Sequence, residues 1–337
     1  MTEKVDRFRL AYDYLSNFYP AVVEVDGIVY LSSEAAYQAA KCADFSQRRQ
    51  FSQLAAHDAK NLGRAVAVRS DWEAVKISEM TKIIRAKFTQ NPHLARFLVE
   101  TGDAELVEGN NWHDVYWGVD LRTDEGENHL GKILMALRQD FQQNGLPPLI
   151  PKPPLLSQCS EDGLTVCYQD ITLLDCTCIV NAANKTLLPG GGVDIAIHRA
   201  AGAAFTEECR RLGGCPVAGV RLTAGYQLPA KWVIHTVGPH YGEKDDANLL
   251  ALAYRNVLNL AAEHQIHQIA FPAISAGKFS YPKEQATAVA VKSVREWKRY
   301  HPDYPLQVIF CCLDLNVYKG FCQAIGLQAT GLPTDTT

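Results

Sequence analysis

From position 164 onward, short β-branched or apolar runs alternate with stretches of helical periodicity. The runs are LTVCY, CIVNAAN, KWVIHTVG, QIAFPAIS and LQVIFCCL, and the stretches between them predict helices over about 194–209, 248–264 and 283–300. Strands alternating with helices predict a mostly parallel sheet covered on both faces. Ligands of such sheets bind where a strand ends and the next helix begins. Positions 1–145 carry a different pattern, α+β with helices dominant. YPAVVEVDGIVYL reads as a hairpin turning at Asp26-Gly27, and Ser32 or Ser33 can cap a helix running to about position 43. Further helices are expected over 57–65, 72–89, 92–100 and 128–142, the last with Leu130, Leu134 and Leu137 on one stripe.

The two patterns meet at LPPLIPKPPLL, 146–156, where Pro147, Pro148, Pro151, Pro153 and Pro154 exclude helix and central strand. This stretch predicts a semi-extended spacer. The expected organisation is a domain over 1–145, a linker over 146–157, a domain over 158–328 and a tail over 329–337.

The 337 residues are 47% hydrophobic and 21% charged, which excludes disorder, and no apolar run approaches the ~20 residues of a membrane helix. Positions 1–10 are charged where a signal peptide needs an apolar segment, so a cytoplasmic protein without a membrane partner is expected. Net charge is -4, with 17 basic against 21 acidic residues through Ile150 and 16 against 16 after it. Neither half has the basic excess that holds nucleic acid by counterion release alone. A nucleic-acid substrate would have to be recognised locally, through one modified nucleotide. Nine of the ten cysteines lie at or after Cys159, without a CxxC pair. Cys176 and Cys178, and Cys311 and Cys312, sit in β-like runs and read as small buried apolar residues. No ligand spacing implies a metal or redox cofactor.

Candidate chemistry begins with two glycine-bearing loops. Pro189-Gly190-Gly191-Gly192-Val193-Asp194 follows one strand and opens a helix; Ser275-Ala276-Gly277-Lys278-Phe279 follows another. Amides exposed by glycines at a helix N-terminus can bind phosphate, although each loop alone is equally a tight turn. His198 follows Asp194 by four residues and shares its helix face; it reads either as a ligand-facing group or as a satisfied helix histidine. In the first half, Glu34 and Lys41 are seven apart, nearly two turns, and share a face with Tyr37 and Gln38. The pair suits glycosidic chemistry, but spacing alone favours the plainer reading of a first-turn glutamate and a solvated lysine. The stretch Asn110-Asn111-Trp112-His113-Asp114-Val115-Tyr116-Trp117-Gly118 mixes aromatic and polar groups as a platform for a base and a ribose.

The runs QDITLLDCTCIVNAANKTLLPGGGVDIAIHRAAG, LTAGYQLPAKWVIHTVGP and AFPAISAGKFSYP resemble, in order and spacing, the macrodomain family of the ADP-ribosyl-hydrolysing type. The resemblance covers about 158–328 and implies an α/β/α fold with a mixed, mostly parallel sheet that binds ADP-ribose. It implies that Asp170, with Ile171 beside it, accepts the adenine amino group, and that Gly191, Gly192, Val193 and the 275–279 loop cradle the pyrophosphate. It also implies that Asn184 bonds the distal ribose and that Asp194 holds or activates the attacking water, with His198 within reach. Many members have Gly where this chain has Gln169, a small residue at Ile195, and Thr at Ala276.

The first half resembles the NADAR, or YbiA-like, family in YLSNFYP, SSEAAYQAAK, GRAVAVRSDWEAVK, AKFTQNPHLARFLVETGDAELVE, DVYWGVD and GENHLGKILMALR. Members are N-glycoside hydrolases acting on ADP-ribosylated guanine or, for some, on riboflavin-pathway intermediates. The positions implied are Asn17, Phe18, Glu34, Lys41, Gly63, Arg64, Asp71, Trp72, Asp114, Trp117, Gly118, Asn128 and Gly131, with Glu34 and Lys41 as the chemical pair, Asp114 assisting and Trp117 stacking. Ala35 stands where many relatives carry histidine. The combined expectation is a bifunctional ADP-ribosyl hydrolase. Its partners would be ADP-ribose, ADP-ribosylated guanine in DNA or RNA, ADP-ribosylated protein, and a cognate ADP-ribosylating toxin. The alternatives are clearance of a riboflavin-pathway intermediate, and a second half that reads ADP-ribose without cleaving it.

Overall fold

The computed structural model describes residues 4–148 and 156–329, and the chain divides between Ile150 and Pro151 into two compact units. Of the proline spacer expected over 146–157, residues 149–155 lie outside the described residues, as does the tail from 330.

In the first unit, β1 (Lys4–Val5) precedes the hairpin of β2 (Pro20–Val25) and β3 (Ile28–Ser32). The hairpin turns at Asp26 and Gly27, whose φ values of 53° and 74° suit the tight turn that follows the strands' twist. The Ser32 hydroxyl accepts the Ala35 amide at 3.1 Å and starts α1 (Ser33–Ala40). That helix is buried along its length and ends at Ala40, short of the expected 43. Next come α2 (Phe45–Arg49), α3 (Ala56–Leu62), α4 (Trp72–Gln90) and α5 (Pro92–Glu100), with proline at the first turn of α5. Then β4 (Glu105–Leu106) pairs in parallel with β1, and β5 (Gly109–Asn110) pairs with β6 (Val119–Asp120). Finally α6 (His129–Asn144) packs Leu130, Leu134 and Leu137 inward, as the stripe predicts.

The second unit is built on one seven-stranded sheet. Its strands are β7 (Leu156–Cys159), β8 (Leu164–Tyr168), β9 (Cys178–Ala182), β10 (Val220–Ala224), β11 (Trp232–Thr236), β12 (Gln268–Phe271) and β13 (Gln307–Cys312). They lie in the order β10-β11-β9-β12-β13-β8-β7, parallel except for the two edges. The helices are α7 (Val193–Ala201), α8 (Ala203–Arg211), α9 (Asp246–Glu263), α10 (Lys283–Tyr300) and α11 (Leu315–Ile325). Apolar packing of Ile179, Val233, Ile197 and Phe205 holds α7 and α8 to the sheet. The single helix expected over 194–209 is two helices, because Gly202 takes φ 90° and breaks the ladder. The edge strands β7 and β10, and α11, had no clear periodic signal. All ten cysteines are unpaired, and Cys176, Cys178 and Cys311 are buried. Among the described residues no helix is long and apolar enough to cross a membrane.

Candidate functional sites

The first unit encloses an open cavity of about 1170 Å³, larger than the ~300–1,000 Å³ of ordinary small-molecule sites. Glu34, Gln38 and Lys41 reach it from α1, Trp72 and Lys76 from α4, Asn17 and Phe18 from the segment before β2, and Glu108, Trp112, Asp114, Tyr116 and Trp117 from the segment around β5. Glu34 is 6% exposed, and Gln38 Nε2 donates to its Oε1 at 2.8 Å. Burial pushes the Glu34 carboxyl above its usual range, against the pull of Lys60 and Lys41. Burial lowers the Lys41 amine, which lies 5.9 Å from the Tyr37 ring centre and donates to the Gly63 carbonyl at 3.5 Å. The shared helix face expected of Glu34 and Lys41 is therefore a cavity wall, not solvent.

The aromatic wall is interlocked. Tyr37 meets Trp72 at 5.2 Å and Trp117 at 5.4 Å between ring centres, and Lys76 Nζ sits 3.8 Å from the centre of Tyr116. Asp114 Oδ1 accepts the amides of Trp117 at 2.9 Å and Tyr116 at 3.2 Å, so it fixes the loop that carries both rings. Arg64 is exposed at the cavity's edge, and Lys60 covers Phe18 at 5.2 Å. Asn17 accepts the Glu34 amide through its carbonyl at 3.0 Å and is itself buried. Five implied positions, Gly63, Asp71, Gly118, Asn128 and Gly131, do not line this cavity. Gly118 and Gly131 pack tightly against backbone carbonyls, while Asn128 spends its amide on the Glu108 N–H and the Leu106 carbonyl. Asp71 instead forms an exposed ion pair with Arg69 at 2.6 Å.

In the second unit, β9 delivers the loop 183–192 to the start of α7. Asp194, in the first turn, is 3% exposed and has both oxygens engaged: Asn181 Nδ2 donates to Oδ1 and the Gly190 amide donates to Oδ2, each at 2.8 Å. Burial nevertheless raises its pKa. Among the described residues, no hydrogen-bond acceptor meets the amides of Gly191, Gly192, Val193, Gly277, Lys278 or Phe279. Such a set of free amides at two loops is suited to an anion. A Cβ on Gly191 would lie 3.9 Å from Lys278 Nζ, so the two loops face each other. The Ala276 amide, by contrast, bonds the Ala273 carbonyl at 3.3 Å, and Ser275 Oγ donates to the Pro239 carbonyl at 2.7 Å. These two residues shape the loop from within.

Asn184 lies in the same loop and bonds within it. Its Oδ1 accepts the amide and hydroxyl of Thr186 at 2.9 and 2.6 Å, and its Nδ2 donates to the Leu188 carbonyl at 2.6 Å. The side chain is turned into its own loop, as asparagine does in tight turns. Asp170 Oδ1 caps the short 3-10 turn Ile171–Leu173 through the Thr172 amide and hydroxyl at 2.9 and 2.7 Å. His198 Nε2 lies 3.7 Å from Asp194 Oδ1, and its Nδ1 meets Thr206 Oγ1 at 2.9 Å; burial lowers its pKa to about 4.

Two residues that sequence reasoning left out complete this site. Asn181 and His235 are register partners on β9 and β11, and Asn181 Nδ2 lies 3.2 Å from His235 Nδ1. His235 Nε2 reaches Thr223 Oγ1 at 3.0 Å, and burial lowers its pKa to about 3. The signal was present: an asparagine and a histidine in mostly apolar strands must find partners inside.

Residues 6–142 match the family model of the NADAR domain, and residues 180–290 match that of the Macro domain. The Macro domain-containing protein CT2219 of Chlorobaculum tepidum is 54% identical over 155 residues, 44% of this chain and 90% of that protein. The ADP-ribose glycohydrolase MACROD1 of Mus musculus is 48% identical over 156 residues, 44% of this chain and 48% of that protein. A Trypanosoma brucei macrodomain solved in complex with ADP-ribose is 37% identical, covering 51% of this chain and 74% of that one at a TM-score of 0.47.

Proposed function

We propose that this chain, which belongs to the Macro domain family and carries a NADAR domain ahead of its macrodomain, is a bifunctional ADP-ribosyl hydrolase. The first unit cleaves the N-glycosidic bond between ADP-ribose and guanine in nucleic acid. The second binds ADP-ribose and hydrolyses its esters on acidic protein side chains. The observation that carries the reading is the buried Glu34 beside the half-buried Lys41 on the wall of an aromatic-lined cavity.

Glycosidic cleavage develops positive charge at the anomeric carbon, and a carboxylate held out of water stabilises that charge strongly. Glu34 supplies the carboxylate, while burial keeps more of the Lys41 amine neutral and able to attack or accept a proton. Trp117 and Tyr116 offer flat faces for the base. In the second unit the free amides of the 191–193 and 277–279 loops receive the pyrophosphate, and Asp194, fixed by Asn181 and Gly190, orients water at the distal ribose. The Mus musculus relative is named as an ADP-ribose glycohydrolase, in keeping with this reading.

A second reading of the second unit is recognition without cleavage, favoured by the double engagement of Asp194 inside the fold. Incubating the intact protein with ADP-ribosylated acidic protein separates the two: a hydrolase releases ADP-ribose within minutes to hours, whereas a reader binds free ADP-ribose in calorimetry and leaves the modified protein unchanged. For the first unit, the competing substrate is a riboflavin-pathway phosphoribosyl intermediate. Cleavage of that compound, with none of the guanine conjugate, would replace the proposal. We further propose that the protein opposes a guanine-directed ADP-ribosylating toxin. Co-expression should then rescue cells from such a transferase, and failure to rescue would remove the antitoxin role.

A further inference from the structure

Three of the motif positions outside the cavity lining, Gly118, Asn128 and Gly131, converge on one residue that belongs to it. Asn128 Oδ1 accepts the Glu108 amide at 3.1 Å, and its Nδ2 donates to the Leu106 carbonyl at 2.9 Å. A side chain at Gly131 would collide with that same Leu106 carbonyl and with the Asn128 amide. One at Gly118 would collide with the Glu108 carbonyl, which also accepts the Val119 amide at 3.1 Å. The backbone of Glu108 is therefore gripped on both sides, by β6 and by Asn128, the residue that precedes α6.

The side chain so held lines the cavity, and its Oε2 is buried without a hydrogen-bond partner among the described residues. An unpaired carboxylate oxygen in such a place is costly when ionised and stable when protonated. Burial dominates; Asp114 also raises the pKa, and Lys87, Arg9 and Lys60 lower it, leaving the group at about 7.

We propose that Glu108 is a further catalytic residue of the first unit, the acid that protonates the departing base. This rests on the N-glycosidase reading. As the bond between the anomeric carbon and the guanine nitrogen breaks, its electron pair stays on the base and the Glu108 carboxyl hands that nitrogen its proton. Water adds to the anomeric carbon and releases its own proton to the Glu34–Lys41 pair. That proton returns to Glu108 through solvent, so the net reaction is hydrolysis.

The test is the pH–rate profile of the full-length protein and its Glu108→Gln variant on two substrates. One is a guanine-ADP-ribosylated oligonucleotide; the other is 4-nitrophenyl ADP-ribose, whose leaving group departs without a proton. Wild type should lose kcat on the oligonucleotide as pH rises through about 7. Glu108→Gln should lower kcat there by about 10²- to 10³-fold with little change in KM, and abolish that alkaline limb. On the nitrophenyl conjugate it should run within a few-fold of wild type, which also shows that it folds, while Glu34→Ala stays inactive on both. Equal losses on the two substrates, or a wild-type rate and alkaline limb for Glu108→Gln on the oligonucleotide, would overturn the assignment. Wild-type protein that leaves the oligonucleotide intact would instead overturn the N-glycosidase reading, and the assignment with it.

Discussion

In the first unit the acids are side chains on the wall of a cavity, one of them with a buried oxygen left unpaired among the described residues, whereas in the second unit Asp194 has both oxygens tied to Asn181 and the Gly190 amide. The first arrangement puts its chemistry into titratable groups whose environment shifts them. The second puts its recognition into backbone amides, and uses its carboxylate to hold the loop that presents them. The contrast separates catalysis from presentation: loss of either acid should cut release of ADP-ribose from guanine at the first site, while loss of Asp194 should also loosen the second.

The largest expected effect is that of Glu34→Ala, a fall in release of ADP-ribose from guanine of about 10²- to 10⁴-fold without change in ADP-ribose binding by the second unit. Asp194→Ala is expected to cut ester hydrolysis by about 10²-fold and, unlike Glu34→Ala, to weaken ADP-ribose binding by roughly tenfold, because the Gly190 amide loses its anchor. Calorimetric titration with ADP-ribose checks the second part, and unchanged affinity would assign Asp194 to chemistry alone.

A pH series sharpens the contrast further. Burial holds His198 at about 4 and His235 at about 3, below the ordinary 6.5, so between those values the unfolded chain binds more protons than the folded one. Stability of the second unit should therefore be full above pH 6.5 and fall as pH drops toward 4. Asp194, raised by burial, works in the opposite sense, and two histidines outweigh one carboxylate. Scanning calorimetry of the full chain should show the ADP-ribose-responsive transition moving down in temperature over that window; a rise would contradict the buried neutral histidines. The smallest effect is Ser32→Ala, which removes the cap that sets α1 and should cost about 1 kcal/mol in urea unfolding.

Much of the second unit was legible because β-branched runs and helical stretches alternate cleanly, and its glycine loops sit where strands meet helices. What was lost there follows from weak local signals. The edge strands β7 (LSQC) and β10 (VRLTA) mix polar and apolar positions and lack the apolar runs of the interior strands, and Gly202 splits one continuous amphipathic stretch into α7 and α8. Asn184 stood out in a loop but bonds within its turn, while Asn181 and His235, hidden in apolar strands, proved to be the buried partners behind Asp194. In the first unit, periodicity placed Glu34 and Lys41 on one face but not that face toward a cavity, because the apposed wall comes from residues 72 to 117. Glu108 was invisible for the same reason: nothing near Val107 and Gly109 reveals that Asn128 reaches back twenty positions to hold it.

The most direct test of the account is release of ADP-ribose from a guanine-ADP-ribosylated oligonucleotide by the intact protein, Glu34→Ala and Asp194→Ala, side by side. Release by the intact protein and by Asp194→Ala, and none by Glu34→Ala, is the expected result. No release by the intact protein, or loss in Asp194→Ala with Glu34→Ala active, would contradict it.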